Sequence, residues 1–365
     1  MRRVVEEAVG RDEVPSVVAM VGTASTRHLV TAAGRRETWS EGAAVDRSTV
    51  YDLASLTKVV ATLPAVLKLI DSGEIRLGSR IADFFTNAGW FQSPSLADVT
   101  VESLLSHSSG LPAWKPLFAW ASKRETAMAN VLQSGLEHPA GSYVYSDLGF
   151  ILLGAIVERV SGLRLDAFVR QEIFEPLGMK ETRFGSLQEE NVAATEDCGW
   201  RNMRLQGVVH DENAYVLDGI AGHAGLFGTA DDLATYAQAW LSRDARLASE
   251  EMLALATREY VRDEEARRGL GWILWTEPSS AGRYAGPEAY GHTGFTGTSL
   301  WLNPGSKGPS GPNPDNDWFA VLLTNRVHPS RTCGQNIHAL RVAFHEAVGE
   351  SFRGLNGKLP SEVMV

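Results

Sequence analysis

The plainest chemistry in the sequence is carried by four consecutive residues, Ser55-Leu56-Thr57-Lys58, the only Ser-x-x-Lys in the chain. Side chains three apart on a helix share a face, so the Lys58 amine can lie beside the Ser55 hydroxyl. A free serine is a poor nucleophile and needs a base within hydrogen-bond reach. Lysine, with an ordinary pKa of about 10.4, must first be neutral to act as one. Burial and neighbouring positive charge promote this. A depression of about three units costs about 4 kcal/mol, which a buried cleft can supply. The reading therefore expects a lowered pKa at Lys58. It also expects the N–H of Ser55, at the start of a helix, to be free to stabilise an oxyanion.

Two further groups fit the same chemistry. Tyr145-Ser146-Asp147 precedes an apolar helical stretch, and a tyrosine at such a junction can relay a proton or share one with a lysine. Tyr143 is near enough to compete for the role. His292-Thr293-Gly294, within GHTGFTGTSLW, places a hydrogen-bonding residue, a hydroxyl and a glycine along one strand. The glycine lets backbone pass close to a substrate. The N–H of Phe295 would then be a second oxyanion donor.

The elements that must position these groups follow from periodicity and breakers. A short helix is expected at 4–9, then strands at 15–22 and 28–34. Val59, Leu63, Val66, Leu67 and Ile70 repeat at helical spacing, with Gly73 as a C-terminal cap and Pro64 predicted to kink the helix. Helices are expected at 100–106, 122–134 and 148–161, and another from a Thr229 cap. YGHTG, TSLWL and WFAVLLTN read as strands, 304–317 as an exposed loop and 333–349 as a final helix. Strands at both ends with helices between predict a discontinuous α/β lobe, 1–70 with 225–365. A helical lobe, 71–224, is inserted, with the cleft between them.

The order Ser-x-x-Lys, Tyr-x-Asp, His-Thr-Gly resembles that of class C β-lactamases, penicillin-binding DD-peptidases and the related family VIII-type esterases. LLSHSSGLP at 104–112, IFEPLGMKET at 173–182, AGHAGLFGTADDLA at 221–234 and LTNRVHP at 323–329 are also similar to stretches of that superfamily. VHDENA at 209–214 resembles a subgroup containing bacterial penicillin-binding proteins. The resemblance covers roughly 50–345 and implies an α/β plus all-α fold, β-lactamase/transpeptidase-like, with an antiparallel sheet flanked by helices. It implies that Ser55 is acylated, that Lys58 and Tyr145 handle its proton, and that Ser55 and Phe295 supply the backbone oxyanion hole. It also implies that Asp147, His292, Thr293 and Gly294 line the substrate site, and that neither metal nor organic cofactor is needed. Two positions depart from the usual pattern. Asp147 stands where Asn is common, and a carboxylate cannot donate a hydrogen bond. His292 stands where Lys is common, so recognition of a substrate carboxylate is expected to be weaker and pH-dependent.

Composition sets the outer limits. The chain has 365 residues, 44% of them hydrophobic, and a net charge of −10. This is a soluble globular composition whose acidity argues against nucleic acid as a partner. Cys198 and Cys333 show no metal or redox spacing and read as two reduced cysteines. No signal-peptide core or membrane span is legible, so the expectation is a cytoplasmic protein. There is no Gly-x-Ser-x-Gly elbow, P-loop or dinucleotide fingerprint, and no zinc cluster; His107 and His223 read as structural. The function expected is a serine hydrolase acting through an acyl-enzyme on a carboxylic ester or amide of a small-molecule or peptide substrate, a small-molecule ester or amide coming slightly ahead. D-alanyl-D-alanine carboxypeptidase or β-lactamase activity is the alternative, and a catalytically silent penicillin- or peptide-binding protein a further one.

Overall fold

Strand β1, Ser16–Gly22, is buried along its whole length. Alternate side chains of a strand point to opposite faces, so SVVAMVG must be covered on both sides. Val18 and Met20 enter one apolar cluster, while Val17, Ala19 and Val21 enter another. The computed structural model describes residues 1–85, 94–187, 191–264, 266–305, 307–308, 311–312 and 317–354.

β1 lies in an eight-stranded antiparallel sheet with β2 (Arg27–Gly34), β3 (Val261–Arg262), β4 (Arg267–Arg268), β5 (Ile273–Leu274), β6 (Tyr290–Thr293), β7 (Ser299–Asn303) and β8 (Trp318–Thr324). The spatial order is β2-β1-β8-β7-β6-β5-β4-β3. The first and last parts of the chain meet where β1 pairs with β8, Val17 opposite Thr324. β8 repeats the two-faced pattern: Phe319, Val321 and Leu323 turn to one cluster, Trp318, Ala320 and Leu322 to the other.

Helices cover each face. The N-terminal helix α1, Arg2–Gly10, supplies Val5 and Ala8 to the smaller cluster. The C-terminal helix Ile337–Gly354 supplies Leu340, Phe344 and Val348 to it from one face. The other face carries α2 (Leu63–Asp71), α3 (Asp147–Ser161) and α4 (Ala230–Leu241), whose buried residues form one continuous core with the sheet. Thr229 caps α4 by accepting from the Asp232 N–H at 3.2 Å. The C-terminal helix is α5.

The expected kink at Pro64 takes another form. A π-helical turn, Lys58–Thr62, precedes α2, so Pro64 falls in the first α-helical turn, where its missing N–H costs little. Leu63 N–H donates to Lys58 O; the next donor in that register would be Pro64, whose missing N–H leaves the Val59 carbonyl to accept from the Tyr236 hydroxyl, and Thr62 Oγ1 donates to Gly222 O at 2.6 Å. The predicted exposed loop at 304–317 contains a short antiparallel pairing of Lys307–Gly308 with Gly311–Pro312; residues 306, 309–310 and 313–316 of that loop lie outside the described set. Cys198 and Cys333 are free thiols.

His345 on α5 is fully buried and hydrogen-bonded through Nδ1 to Ser280 O at 2.7 Å; burial drives its pKa from 6.5 down to about 4. His107 and His292 are shifted in the same direction. A base kept neutral in the native state binds its proton in the unfolded chain first, so stability falls as pH drops below 6.5. At about 1.4 kcal/mol per pH unit, His345 alone costs about 3 kcal/mol by pH 4. Urea unfolding midpoints at pH 7 and pH 4.5 should therefore differ, and a His345→Gln variant should show a smaller difference. Equal pH sensitivity in the two proteins would remove His345 from the account.

Candidate active site

Ser55 sits in the tight turn between the strand Tyr51–Asp52 and the helix that begins at Leu56. The turn is strained: Ala54 has φ +47°, a left-handed conformation that a residue with a Cβ adopts only when held. The holder is Asp52. Its Oδ1 accepts from the Ala54 N–H at 2.8 Å and its Oδ2 from the His210 N–H at 2.7 Å. Asp52 is buried, and burial raises its pKa against those two bonds.

Lys58 is fully buried one turn on. Its Nζ donates to Ser55 Oγ at 3.0 Å and to His223 O at 3.2 Å, and lies 2.8 Å from Asp147 Oδ1. Burial is the largest single influence on the amine and pulls its pKa down. Asp147 and Tyr145 together outweigh it, so the net shift is upward. The expectation of a lowered pKa is overturned, because the fold that excludes water from Lys58 also brings a carboxylate to it. Lys58 is an ammonium in the resting site. Asp147, expected among the substrate-lining residues, is thus placed on Lys58 and only 18% exposed.

The segments around the amine are fixed from behind. Gly222 passes so close to α3 that a Cβ would lie 2.0 Å from Phe150 O, which excludes any larger residue. Next to it, His223 Nε2 meets Asp211 Oδ1 at 2.9 Å, and that oxygen also accepts from the Ala214 N–H. The pair aims the His223 carbonyl at Lys58. His107 Nδ1 accepts from the Ser146 N–H at 3.0 Å, and its ring packs 4.6 Å from that of Tyr145. Both histidines read as structural from sequence, and both prove to support the site directly.

Tyr145, not Tyr143, faces the opening. It lines a cleft of about 370 Å³ together with Ser55, His292, Thr293, Gly294 and Phe295. Lys58 Nζ lies 4.8 Å from its ring centre. Tyr143 is instead engaged by the Arg268 guanidinium. The residues singled out from sequence therefore converge: Ser55 and Tyr145 at the cleft, Lys58 and Asp147 behind them, and His292-Thr293-Gly294 on β6 and the turn that follows.

His292 is 2% exposed, and burial, with Arg268 and Lys58 nearby, holds its pKa well below 6.5. Its Nδ1 lies 2.9 Å from Thr293 O, a carbonyl that can only accept, so the proton is on Nδ1 and Nε2 keeps a lone pair. The expectation of pH-dependent carboxylate recognition by His292 fails on this point, since a neutral imidazole offers no charge to gain or lose near pH 7. The cleft is lined by three arginines, Arg268, Arg326 and Arg341, and the one beside Tyr145 is Arg268, which sequence reading missed. It is 7% exposed, lies 5.4 Å over the Tyr145 ring, and has Nε and Nη1 without a hydrogen-bond partner among the described residues. Nothing in the polar run Glu265-Ala266-Arg267-Arg268 distinguishes it from a surface arginine before burial is known.

The N–H groups of Ser55 and Phe295 also make no backbone hydrogen bond among the described residues. A serine hydroxyl beside an ammonium, a phenol and two unengaged N–H donors can form and stabilise a tetrahedral oxyanion. No group of residues able to hold a metal ion occurs among the described residues. No helix there is long and apolar enough to cross a membrane.

Comparison with known proteins agrees with this geometry. The Beta-lactamase family profile matches residues 1–344. A protein of Escherichia coli K12, named provisionally as a D-alanyl-D-alanine carboxypeptidase, is 34% identical over 317 residues, covering 77% of this chain and 70% of its own. The N-acetylmuramyl-L-alanine amidase of Bacillus subtilis is 34% identical over 316 residues, covering 77% and 68%. Among solved structures, the octameric penicillin-binding protein homologue of Pyrococcus abyssi superposes with a TM-score of 0.70 at 23% identity, over 94% of this chain and 75% of that one. EstCE1, a hydrolase with promiscuous acyltransferase activity, superposes with a TM-score of 0.72 at 19% identity, over 93% and 97%. The chain belongs to the Beta-lactamase family and is a serine hydrolase with the β-lactamase/transpeptidase-like fold.

Proposed function

We propose that the enzyme cleaves, through an acyl-enzyme on Ser55, a peptide amide that is followed by a free carboxylate, as in a D-alanyl-D-alanine terminus. The carrying observation is Arg268, a largely buried guanidinium that lines the same cleft as Ser55 and has two nitrogens without a hydrogen-bond partner among the described residues. A cation left partly unpaired away from water is costly unless a ligand completes it, and a guanidinium N–H makes a charge-assisted hydrogen bond to a carboxylate. The provisional name of the Escherichia coli relative, a D-alanyl-D-alanine carboxypeptidase, supports this reading, and the name of the Bacillus subtilis amidase supports amide cleavage more broadly. A neutral ester would leave Arg268 unused, so the small-molecule ester favoured by sequence alone becomes the second choice.

In this reading the cleft lies between the lobe of 1–70 with 225–365 and the lobe of 71–224. The Ser55 oxygen attacks the scissile carbonyl while the N–H groups of Ser55 and Phe295 receive the oxyanion. Lys58, already an ammonium, cannot take the hydroxyl proton. The Tyr145 oxygen receives that proton as its own phenolic hydrogen passes to the leaving nitrogen, so one proton enters and one leaves the phenol, with the Lys58 ammonium stabilising the charge that develops on the oxygens during the relay. Asp147 keeps Lys58 charged. Thr293 hydrogen-bonds the substrate, and His292 presents an uncharged acceptor at the same edge. The enzyme acts on a small or peptide substrate.

Three measurements test this. Ser55→Ala should abolish turnover of a nitrophenyl ester and of a D-Ala-D-Ala peptide while leaving the circular dichroism spectrum unchanged; retained turnover would refute the nucleophile. Arg268→Gln should lower kcat/KM for the peptide by about ten- to a hundredfold, the worth of a charged hydrogen-bonded contact, and leave a neutral nitrophenyl ester within about threefold. Equal losses on both substrates would count against carboxylate recognition. Asp147→Asn removes the charge 2.8 Å from Lys58, so the lysine should lose its proton at lower pH. The alkaline limb of kcat/KM for the neutral ester should then move to lower pH. An acid limb moving down with increased activity would instead make neutral Lys58 the base.

A further inference from the structure

The turn that follows β6 is clamped by a side chain from the far end of the chain. Arg341, on α5, is 8% exposed, and its Nη2 donates to Gly294 O at 2.7 Å and Thr298 O at 2.8 Å. Both carbonyls belong to one tight turn, in which the Gly294 N–H donates to Thr298 O at 2.8 Å and the Gly297 N–H to Gly294 O at 3.0 Å. The turn has no room to shift. A Cβ on Gly294 would lie 2.1 Å from Thr298 Oγ1 and 2.6 Å from Leu53 O.

The Gly294 carbonyl and the Phe295 N–H are the two ends of one peptide group. That group is planar and trans, so its C=O and N–H point in opposite directions. A guanidinium holding the oxygen on the α5 side therefore turns the hydrogen away from α5. A charged donor on the carbonyl also draws electron density through the amide and strengthens the N–H as a donor, as chained hydrogen bonds polarise one another. Arg326 fixes the next peptide in the same manner, its Nε donating to Phe295 O at 2.7 Å. Arg341 and Phe295 both border the cleft that holds Ser55.

We propose that Arg341 is a positioning residue for catalysis. By gripping Gly294 O and Thr298 O it sets the direction and the strength of the Phe295 N–H toward the oxyanion formed on Ser55. The proposal rests on Ser55 and Phe295 supplying the oxyanion hole, but not on which acyl group the enzyme takes from its natural substrate. It makes the C-terminal helix part of the catalytic apparatus, although the helix contributes no atom to the bond being broken.

The test uses the full chain and a nitrophenyl ester carrying a ¹³C-labelled, slowly released acyl group. Arg341→Met keeps length and packing without donors; Arg341→Lys keeps the charge without the fork. The expected result is a kcat lower by about ten- to a hundredfold in Arg341→Met, with KM within about twofold. The infrared band of the acyl-enzyme carbonyl should move to higher wavenumber, and Arg341→Lys should fall between the two. A variant that folds, shown by an unchanged circular dichroism spectrum, yet keeps the wild-type band and kcat would overturn the proposal. If Arg341→Met does not fold, Arg341→Lys alone decides by the same two readings. Failure of the wild type to form an acyl band, or its persistence in Ser55→Ala, would instead sink the assignment of Ser55.

Discussion

The buried ammonium of Lys58 is the charge around which the site is organised. A cation at zero exposure must be met by donated electron density from several directions or the structure that buries it does not form. Here three separate parts of the chain supply it: Ser55 in the preceding turn, Asp147 at the start of α3 and the carbonyl of His223. Each partner is held in turn by something else. Ser146 caps α3 with its hydroxyl and fixes Tyr145 and Asp147 on either side. Asp211 fixes His223. Of the three, Asp147 is the anion, so its removal would leave the charge of Lys58 uncompensated, while Ser55 and the His223 carbonyl orient the amine.

A second constraint joins the nucleophile to the sheet. Thr296 Oγ1 donates to Asp52 O at 2.7 Å, and Thr298 Oγ1 to Leu53 O at 3.1 Å. The strained turn before Ser55 and the turn after β6 are therefore one unit, and the distance between the two oxyanion donors is set by hydroxyl-to-carbonyl bonds rather than by the sheet alone. Strain at Ala54 is tolerable because Asp52 and these threonines determine its conformation from two sides. Preorganisation of this kind matters because donors already in place need not reorganise as charge develops.

The parts legible in the sequence were those that repeat or that announce themselves by residue type. Val17 to Val21 and Phe319 to Leu323 show their strands by apolar run and length, and Leu340, Phe344 and Val348 show the face of α5. Ser55, Lys58, Tyr145 and His292 stand out because their chemistry is uncommon in such an order. What the sequence did not show depends on distance across the fold. The sign of the Lys58 shift turns on Asp147, which lies 89 positions away in the chain but 2.8 Å away in space. Arg268 and Arg341 look like surface residues until burial is known, since side-chain spacing along a strand or helix says nothing of what lies opposite. The π-helical turn at Lys58–Thr62 was not legible either: its wider register shows only in the backbone bonds, with the Tyr236 hydroxyl on the Val59 carbonyl and the Thr62 hydroxyl on Gly222 O.

Charge gives the last link between fold and substrate. The chain carries a net −10, so at long range an anionic substrate is repelled. Salt screens exposed charges beyond about 8 Å at physiological ionic strength. Inside the cleft the balance reverses, because Arg268, Arg326 and Arg341 all line it. Arg326 and Arg341 give donors to backbone carbonyls, with Arg341 Nε left unpartnered, whereas Arg268 leaves both Nε and Nη1 unpartnered among the described residues. The positive potential is thus confined to the few ångströms around Ser55, where low dielectric makes it count most. A substrate with one carboxylate placed beside its scissile bond gains from that potential, whereas a polyanion meets the acidic exterior first. Under the proposed carboxylate recognition, selectivity for a small, singly charged terminus follows from where the arginines are buried.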